Sequence, residues 1–361
     1  MLPAQRCTTI PLLTLVFRGF LLLFNGFTMH INALARCLFA LILGAAPALS
    51  MGSTADLAHD QSTNWPSRPI RIIVGFPGGS SPDLTARALA DPLSKALGQP
   101  VIVDNKVGAS GNIAADAVAK ATDSHTLGLM INGNLTIAKL LNPKLPFDPQ
   151  RDLAPISLIA TSPLVLTAAA SAPGHTAAEL LAAACQAGST WNYGTPGVGT
   201  VGHLGMELLK SRAGLSAVHV PYPGYPQVAT AMMGGDIQLA LLPPALALTH
   251  IRAGKLRAVG VTASVRSGLA PEIPSLAELG VPNLNLEIWN AVVAPSSLPK
   301  PVLARLSALI SEITRTPEMR QKLLQQGWTV AGTSAEGLAK RMQADTTALG
   351  AIIHSQRIST E

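Results

Sequence analysis

The residues most able to do chemistry cluster where a β-branched apolar run meets a glycine-rich turn. Residues 66–87 read Pro-Ser-Arg-Pro-Ile-Arg-Ile-Ile-Val-Gly-Phe-Pro-Gly-Gly-Ser-Ser-Pro-Asp-Leu-Thr-Ala-Arg. Ile70, Ile72, Ile73, Val74 and Phe76 lie between Pro69 and Pro77 and suit a parallel strand covered on both faces. Helix punctuation follows at once. Ser80 or Ser81 can cap, Pro82 sits near the first helical position, and Asp83 lies three residues after Ser80, where a capping-box acid belongs. Free N–H groups at such a helix end carry partial positive charge, so the turn is suited to an anion. A docked carboxylate gains about 0.3–1 kcal/mol from the dipole besides its hydrogen bonds. An ordinary strand-to-helix turn without a ligand uses the same glycines.

A second turn of this kind, Gly197-Val-Gly-Thr-Val-Gly202, follows a short strand at 191–193 and precedes a helix. It matches the dinucleotide fingerprint G-x-G-x-x-G, but the next strand ends Val218-His219-Val220-Pro221 without the acid that a ribose would need. What survives is a second helix N-terminus exposing amides, with the Thr200 hydroxyl beside them. Two such ends could grip a carboxylated ligand from opposite walls of a cleft. His203, just inside that helix, either bonds a ligand or braces its own loop. Tyr222 and Tyr225 either offer hydroxyls to a cleft or pack a turn. Catalytic patterns are scarce: there is no G-x-S-x-G, no H-E-x-x-H, no cysteine pair at metal spacing, and Gly254-Lys255 is followed by Leu256, so there is no P-loop.

The elements that must position these turns alternate. Strands are expected at 70–76, 101–104, 126–131, 156–160, 164–168, 217–220, 237–241, 256–262 and 286–294. Helices are expected at 84–97, 177–187, 201–213 and 225–233, which makes an α/β fold with mainly parallel sheets flanked by helices. Three helices end the chain, near 302–314, 318–326 and 336–350, and the strand at 286–294 returns it to the first domain. Loops at 108–112, 132–134, 194–200 and 221–226 concentrate Gly, Pro and Asn and belong beyond the carboxyl ends of strands, where α/β sheets bind ligands.

Composition narrows the function class. With 361 residues, 48% apolar and 13% charged, the chain is too apolar for disorder and long enough for two domains. The formal charge of +6 includes Arg6, Arg18 and Arg36 in residues 1–55, which hold no acid; without them 23 basic residues face 20 acidic ones, a net of +3. With no basic stripe interleaved with aromatics, nucleic acid is not an expected partner. Residues 1–55 read as an export leader. Arg36 precedes the apolar run 37–46, Ala46-Pro47-Ala48 gives a small-x-small cleavage site with Ser53-Thr54-Ala55 as a second, and Met29 is a plausible true start. An uncleaved anchor built from this run and the one at 10–27 is the alternative. Cys37 follows Leu-Ala-Arg, which is no lipobox, and Cys185, the one cysteine after the leader, reads as a small core residue.

Together these segments resemble the periplasmic substrate-binding proteins of tripartite tricarboxylate transporters, the Bug-type receptors. The resemblance spans residues 65–345. It rests on Trp65-Pro-Ser-Arg-Pro-Ile-Arg, the run 103–116 (Val-Asp-Asn-Lys-Val-Gly-Ala-Ser-Gly-Asn-Ile-Ala-Ala-Asp), Pro-Lys-Leu-Pro-Phe-Asp-Pro at 143–149, Trp-Asn-Tyr-Gly-Thr at 191–195, Val-His-Val-Pro-Tyr at 218–222 and His-Ile-Arg-Ala-Gly-Lys-Leu-Arg-Ala at 250–258. It implies a two-domain clamshell of the type II periplasmic-binding kind, with domain 1 at 66–163 and 287–361 and domain 2 at 164–286. It also implies a small carboxylate held by the loops 76–83 and 195–203, no metal or organic cofactor, a monomer, and transporter subunits in the membrane as partners. Closure would hinge at 164–168 and 286–294. The ligand-binding residues expected are Phe76, Gly78, Gly79, Ser80, Ser81 and Asp83 on the first wall, and Thr195, Gly199, Thr200 and His203 on the second. Asn132, Asn134, Tyr222 and Leu242 complete the set.

Two departures from the family pattern bear on the ligand. Pro77-Gly-Gly-Ser-Ser-Pro-Asp83 moves the glycines one place earlier and inserts Pro82, which removes a backbone donor. Leu241-Leu242-Pro243 stands where many relatives carry Phe-Asp-Asn, so a ligand without a cationic amine and apolar beyond its carboxylate is expected. The reading is an exported, non-enzymatic solute receptor. A signalling receptor of the same fold and an enzyme acting on a carboxylated substrate are the alternatives, the latter disfavoured by the lack of paired carboxylates or an activated nucleophile.

Overall fold

A computed structural model describes residues 65–358. Strand β1 (Ile70–Val74) is buried at every residue but Arg71. After the turn comes α1 (Ser81–Leu97), which ends where Gly98, at φ 68°, returns its N–H to the Ser94 carbonyl. The chain continues through β2 (Val101–Asn105), α2 (Asn112–Ala119), β3 (Thr126–Ile131), a π-turn at Gly133–Ile137, α3 (Ala138–Leu141), α4 (Pro149–Asp152) and β4 (Leu153–Pro163). A second run follows: β5 (Val165–Ala169), α5 (Ala177–Ala187), β6 (Asn192–Thr195), α6 (Val201–Ala213), β7 (Val218–Pro221), α7 (Tyr225–Gly234), β8 (Leu239–Leu242), α8 (Pro244–Arg252) and β9 (Leu256–Val261). Then β10 (Glu287–Pro295), α9 (Lys300–Arg315), α10 (Pro317–Gln325), β11 (Thr329–Val330) and α11 (Ala335–Gln356) complete the described chain.

The strands form two sheets, ordered β11-β4-β10-β3-β1-β2 and β7-β6-β8-β5-β9, and the fold has two domains. The sheets are mixed rather than mainly parallel. β1 pairs in parallel with β2 and β3, and β6 with β7 and β8, whereas five pairings are antiparallel. Those five involve β4, β5 and β10, the strands that carry the chain between sheets and therefore run against their neighbours. The sequence pattern also omits α2, α3, α4 and α8; α8 starts at Pro244 directly after Pro243, a place in the first helical turn where a proline gives up no hydrogen bond. The strand expected at 156–160 is longer, Leu153–Pro163.

The chain passes between the sheets at Leu164 and again before β10, and Thr262 ties the two passages. Its hydroxyl accepts the Leu164 N–H at 2.9 Å and donates to the Leu286 carbonyl at 2.6 Å, while its own N–H reaches the Leu164 carbonyl at 2.9 Å. The side chain has no exposed surface. On the first sheet, α11 is pinned by the Trp289 indole N–H, which donates to Asp345 Oδ2 at 2.6 Å. Cys185 is half-buried, its thiol donating to the Ala213 carbonyl. The expected leader, its cleavage sites and Met29 lie outside the described residues. Among those described, no helix is long and apolar enough to cross a membrane.

Candidate functional site

The two glycine-rich turns face one another across a cavity of about 30 Å³ between the sheets. Phe76, Ser80, Ser81 and Pro82 line it from the first turn, Pro196, Thr200 and Val201 from the second, and Tyr225 from the start of α7. Ile131 and Asn132 at the end of β3, Ile288 and Asn290 of β10, and Trp328 close it. Residues from the first turns of α1, α6 and α7 thus border one cavity, and each of these helix N-termini carries partial positive charge. No Lys, Arg, His, Asp or Glu lines the cavity.

Three buried polar atoms on this lining lack any hydrogen-bond partner: Ser80 Oγ, Asn132 Oδ1 and the Tyr225 hydroxyl. Buried polar atoms are usually satisfied, so three unpaired ones among the residues lining one cavity stand out. Ser80 is 2% exposed and stands at the N-cap of α1, yet its side chain caps nothing. Asn132 is oriented by its Nδ2, which donates to the Glu287 carbonyl at 2.9 Å. Burial pushes the Tyr225 phenol pKa up, which keeps its proton available for donation. Gly202 is required here, because a Cβ would stand 2.7 Å from the Tyr225 hydroxyl.

Asp83 does not form the capping box that its spacing suggests. Its Oδ2 accepts the Gly79 N–H at 2.9 Å, the Arg87 guanidinium holds both oxygens at 3.0 and 3.1 Å, and Asn105 Nδ2 donates to Oδ1 at 2.9 Å and to the Phe76 carbonyl at 2.9 Å. Burial works to raise the Asp83 pKa, but the bonds from Arg87, Gly79 and Asn105 outweigh it and hold the carboxyl below its ordinary value. Asp83 is therefore a brace behind the turn. Gly78 and Gly79 are its exposed crest, and Gly79 at φ 78° occupies a conformation that glycine adopts without strain.

The second turn rests on a stack of rings. Thr200 caps α6, its hydroxyl accepting the His203 N–H at 3.4 Å and donating to the Gly197 carbonyl at 2.8 Å. His203 Nδ1 accepts the Gly199 N–H at 3.4 Å, so His203 braces its own loop. Its ring stacks on His219 at 4.4 Å, and His219 stacks on Tyr193 at 4.9 Å. Thr195 Oγ1 lies 2.7 Å from His219 Nε2. Below, the Tyr193 hydroxyl donates to Glu207, which also accepts from Lys210 at 2.9 Å. Burial, with the neighbouring His203, depresses the His219 pKa to about 4, and burial lowers that of His203.

Of the residues expected from sequence, the structure brings Phe76, Ser80, Ser81, Asn132 and Thr200 to the cavity. Asn134 and Gly199 line a separate pocket, and Tyr222 another beside Gly108 and Pro221. Thr195 and His203 lie behind the wall. Leu242 is fully buried in β8 and does not line the cavity, so it carries no argument about a ligand amine. Sequence reasoning missed Ile288, Asn290 and Trp328; an asparagine inside the apolar strand Trp289-Asn-Ala-Val-Val293 was the one available signal. Among the described residues, no group of three His, Cys, Asp or Glu side chains could hold a metal.

Residues 85–358 match the tripartite tricarboxylate transporter family receptor. The protein BugT of Bordetella pertussis (strain Tohama I) is 34% identical over 280 residues, which are 77% of this chain and 86% of BugT. Among solved structures, a Rhodopseudomonas palustris protein with adipate matches with a TM-score of 0.79 at 29% identity, over 82% of this chain and 99% of its own. MatC from Rhodopseudomonas palustris with bound malate matches with a TM-score of 0.76 at 28% identity, over 80% of this chain and 100% of its own.

Proposed function

We propose that this chain, which belongs to the tripartite tricarboxylate transporter receptor family, captures a small carboxylate in the periplasm and hands it to transporter subunits in the membrane. The observation that supports this most is the convergence of three helix N-termini with the unpartnered Ser80 and Tyr225 hydroxyls in one buried cavity. These neutral donors suit a carboxylate head, and Asn132 Oδ1 suits a donor beside it, such as a hydroxyl or an ordered water. The site holds donors and an acceptor but no nucleophile activated by a base, as a receptor that releases its ligand unchanged requires.

In this reading residues 66–163 with 287–361 form one moving domain and 164–286 the other, in a monomer, and the Thr262 clasp is the hinge. The liganded neighbours carry adipate and malate, which makes carboxylic acids the first compounds to test. A thermal-shift screen against mono-, di- and tricarboxylates, aromatic acids and amino acids, on protein unfolded and refolded to strip any co-purified compound, checks the proposal. A ligand at 100 times its Kd adds about 2.7 kcal/mol of stability. A selective rise for one carboxylate class supports the receptor role; turnover of the bound compound, or no response to any acid, refutes it.

A further inference from the structure

The cavity at the helix ends is too small for a whole metabolite. At about 30 Å³ it has room for roughly two water-sized groups, the bulk of a carboxylate head and little more. A second pocket of about 240 Å³ adjoins it, with Ser80, Ser81, Tyr225 and Trp328 as walls in common. These four residues are the partition between the two spaces. Beyond them the second pocket is lined by Leu84, Pro226, Pro243, Ala245, Leu246 and Thr249, with the amides of Gln325 and Gln326 at its edge. Its lining carries no charged side chain, and Gln326 Oε1 is buried without a donor.

Resting on the carboxylate reading above, we propose that the ligand is a monocarboxylate with an uncharged tail. Its head sits among Ser80, Asn132 and Tyr225, and its tail passes the Trp328 partition into the pocket formed by Leu84, Leu246 and Thr249. An apolar body fits the leucine and proline walls, and a neutral donor at its far end answers Gln326 Oε1. A second carboxylate there would keep water at the exposed Leu84 and Thr249 edge but find no cation in the lining to pair it, so a dicarboxylate of equal length gains less from this pocket than an uncharged tail does.

Calorimetric titration with hexanoate, 6-hydroxyhexanoate and adipate tests this, since the three share a chain length and differ only in the distal group. Hexanoate and its hydroxy analogue are expected to bind at least about tenfold more tightly than adipate. In Leu84→Arg and Leu246→Arg, each placing a cation in the second pocket, the order should move toward adipate. Leu84 is exposed, so at least the first variant is expected to fold. Adipate binding as tightly as hexanoate, with no change in either variant, overturns the tail assignment while leaving the carboxylate receptor standing. Failure of all three acids and of acetate overturns both.

Discussion

Replacing Ser80 by alanine separates a structural cap from a ligand contact, because the two roles predict opposite signs. A serine that caps a helix costs about 1 kcal/mol when changed to alanine, within a range of about 0.5–2. Ser80 stands at the N-cap of α1 but makes no capping bond, and its buried Oγ has no partner. Removing an unpaired buried hydroxyl relieves part of a desolvation cost of about 1–3 kcal/mol, a cost that water in the cavity would offset. The ligand-free Ser80→Ala protein should therefore be as stable as the parent or more stable by about 1 kcal/mol, a rise of about 2–4 °C at most. Binding should move the other way. A hydroxyl donating to a charged carboxylate is worth about 1.5–3 kcal/mol, so the Kd should weaken by about 10- to 150-fold. Thr200→Ala is the internal control, since Thr200 does cap α6 and its loss should lower stability by about 1 kcal/mol. Thermal unfolding without ligand, followed by calorimetry with it, reads both quantities. If Ser80→Ala melts lower than the parent and binds equally well, Ser80 is a structural residue and the cavity has been misassigned.

Two further expectations follow from the packing. Thr262→Val keeps the shape but strips the hydroxyl that serves Leu164 N–H and the Leu286 carbonyl, so equilibrium denaturation should show a loss of about 2–4 kcal/mol; a change under about 0.5 would mean the clasp does not hold the passages together. Stability should also fall as pH drops through the interval between the ordinary histidine value of 6.5 and the value of about 4 at His219. There the unfolded chain takes up a proton that the folded chain refuses, so stability is complete above about pH 7 and declines by about 2 kcal/mol in all, less than the about 3 kcal/mol of the full gap because the half-buried ring keeps some solvent screening. His219→Gln should flatten that part of the pH–Tm profile, and an unaltered slope would place its origin in other groups.

Much of this architecture was legible because its signals are local. Helices α5 and α6 fall where the sequence places them, at Ala177–Ala187 and Val201–Ala213, since Thr176 with Glu179 and Thr200 with Gly214 mark their ends by side-chain and backbone chemistry within a few residues. The first turn was legible as the N-terminus of α1 for the same reason. Its internal wiring was not: Asp83 sits where a capping box would put it, yet Arg87 and Asn105, the latter 22 residues away, draw its carboxylate behind the turn. Trp328, Ile288 and Asn290 reach the cavity only through the return of β10 and β11 to the first sheet, a long-range pairing that no local pattern encodes. Leu242 misled because β8 is buried on both faces, so alternation gave no sign of which side chain faces a ligand.

That the cavity is lined by helix ends and hydroxyls and by no arginine has a physical consequence for the proposed carrier. A guanidinium buried in the cleft would need a partner whenever the ligand left, and losing one member of a buried ion pair costs about 3–5 kcal/mol. Helix ends and hydroxyls left unpaired cost less, and water can satisfy them while the cleft is open. The charged residues of this region are instead paired among themselves outside the cavity, Arg87 with Asp83 and Lys210 with Glu207. They set the rigidity of the two turns without contributing a net charge to the ligand. In the proposed receptor, affinity would depend on closure, which desolvates the carboxylate against preformed amides, and opening at the hinge would weaken every contact at once. A receptor that must surrender its cargo to a membrane partner needs this coupling. An arginine introduced into the first cavity, in contrast to the second pocket, should therefore slow release more than it speeds capture.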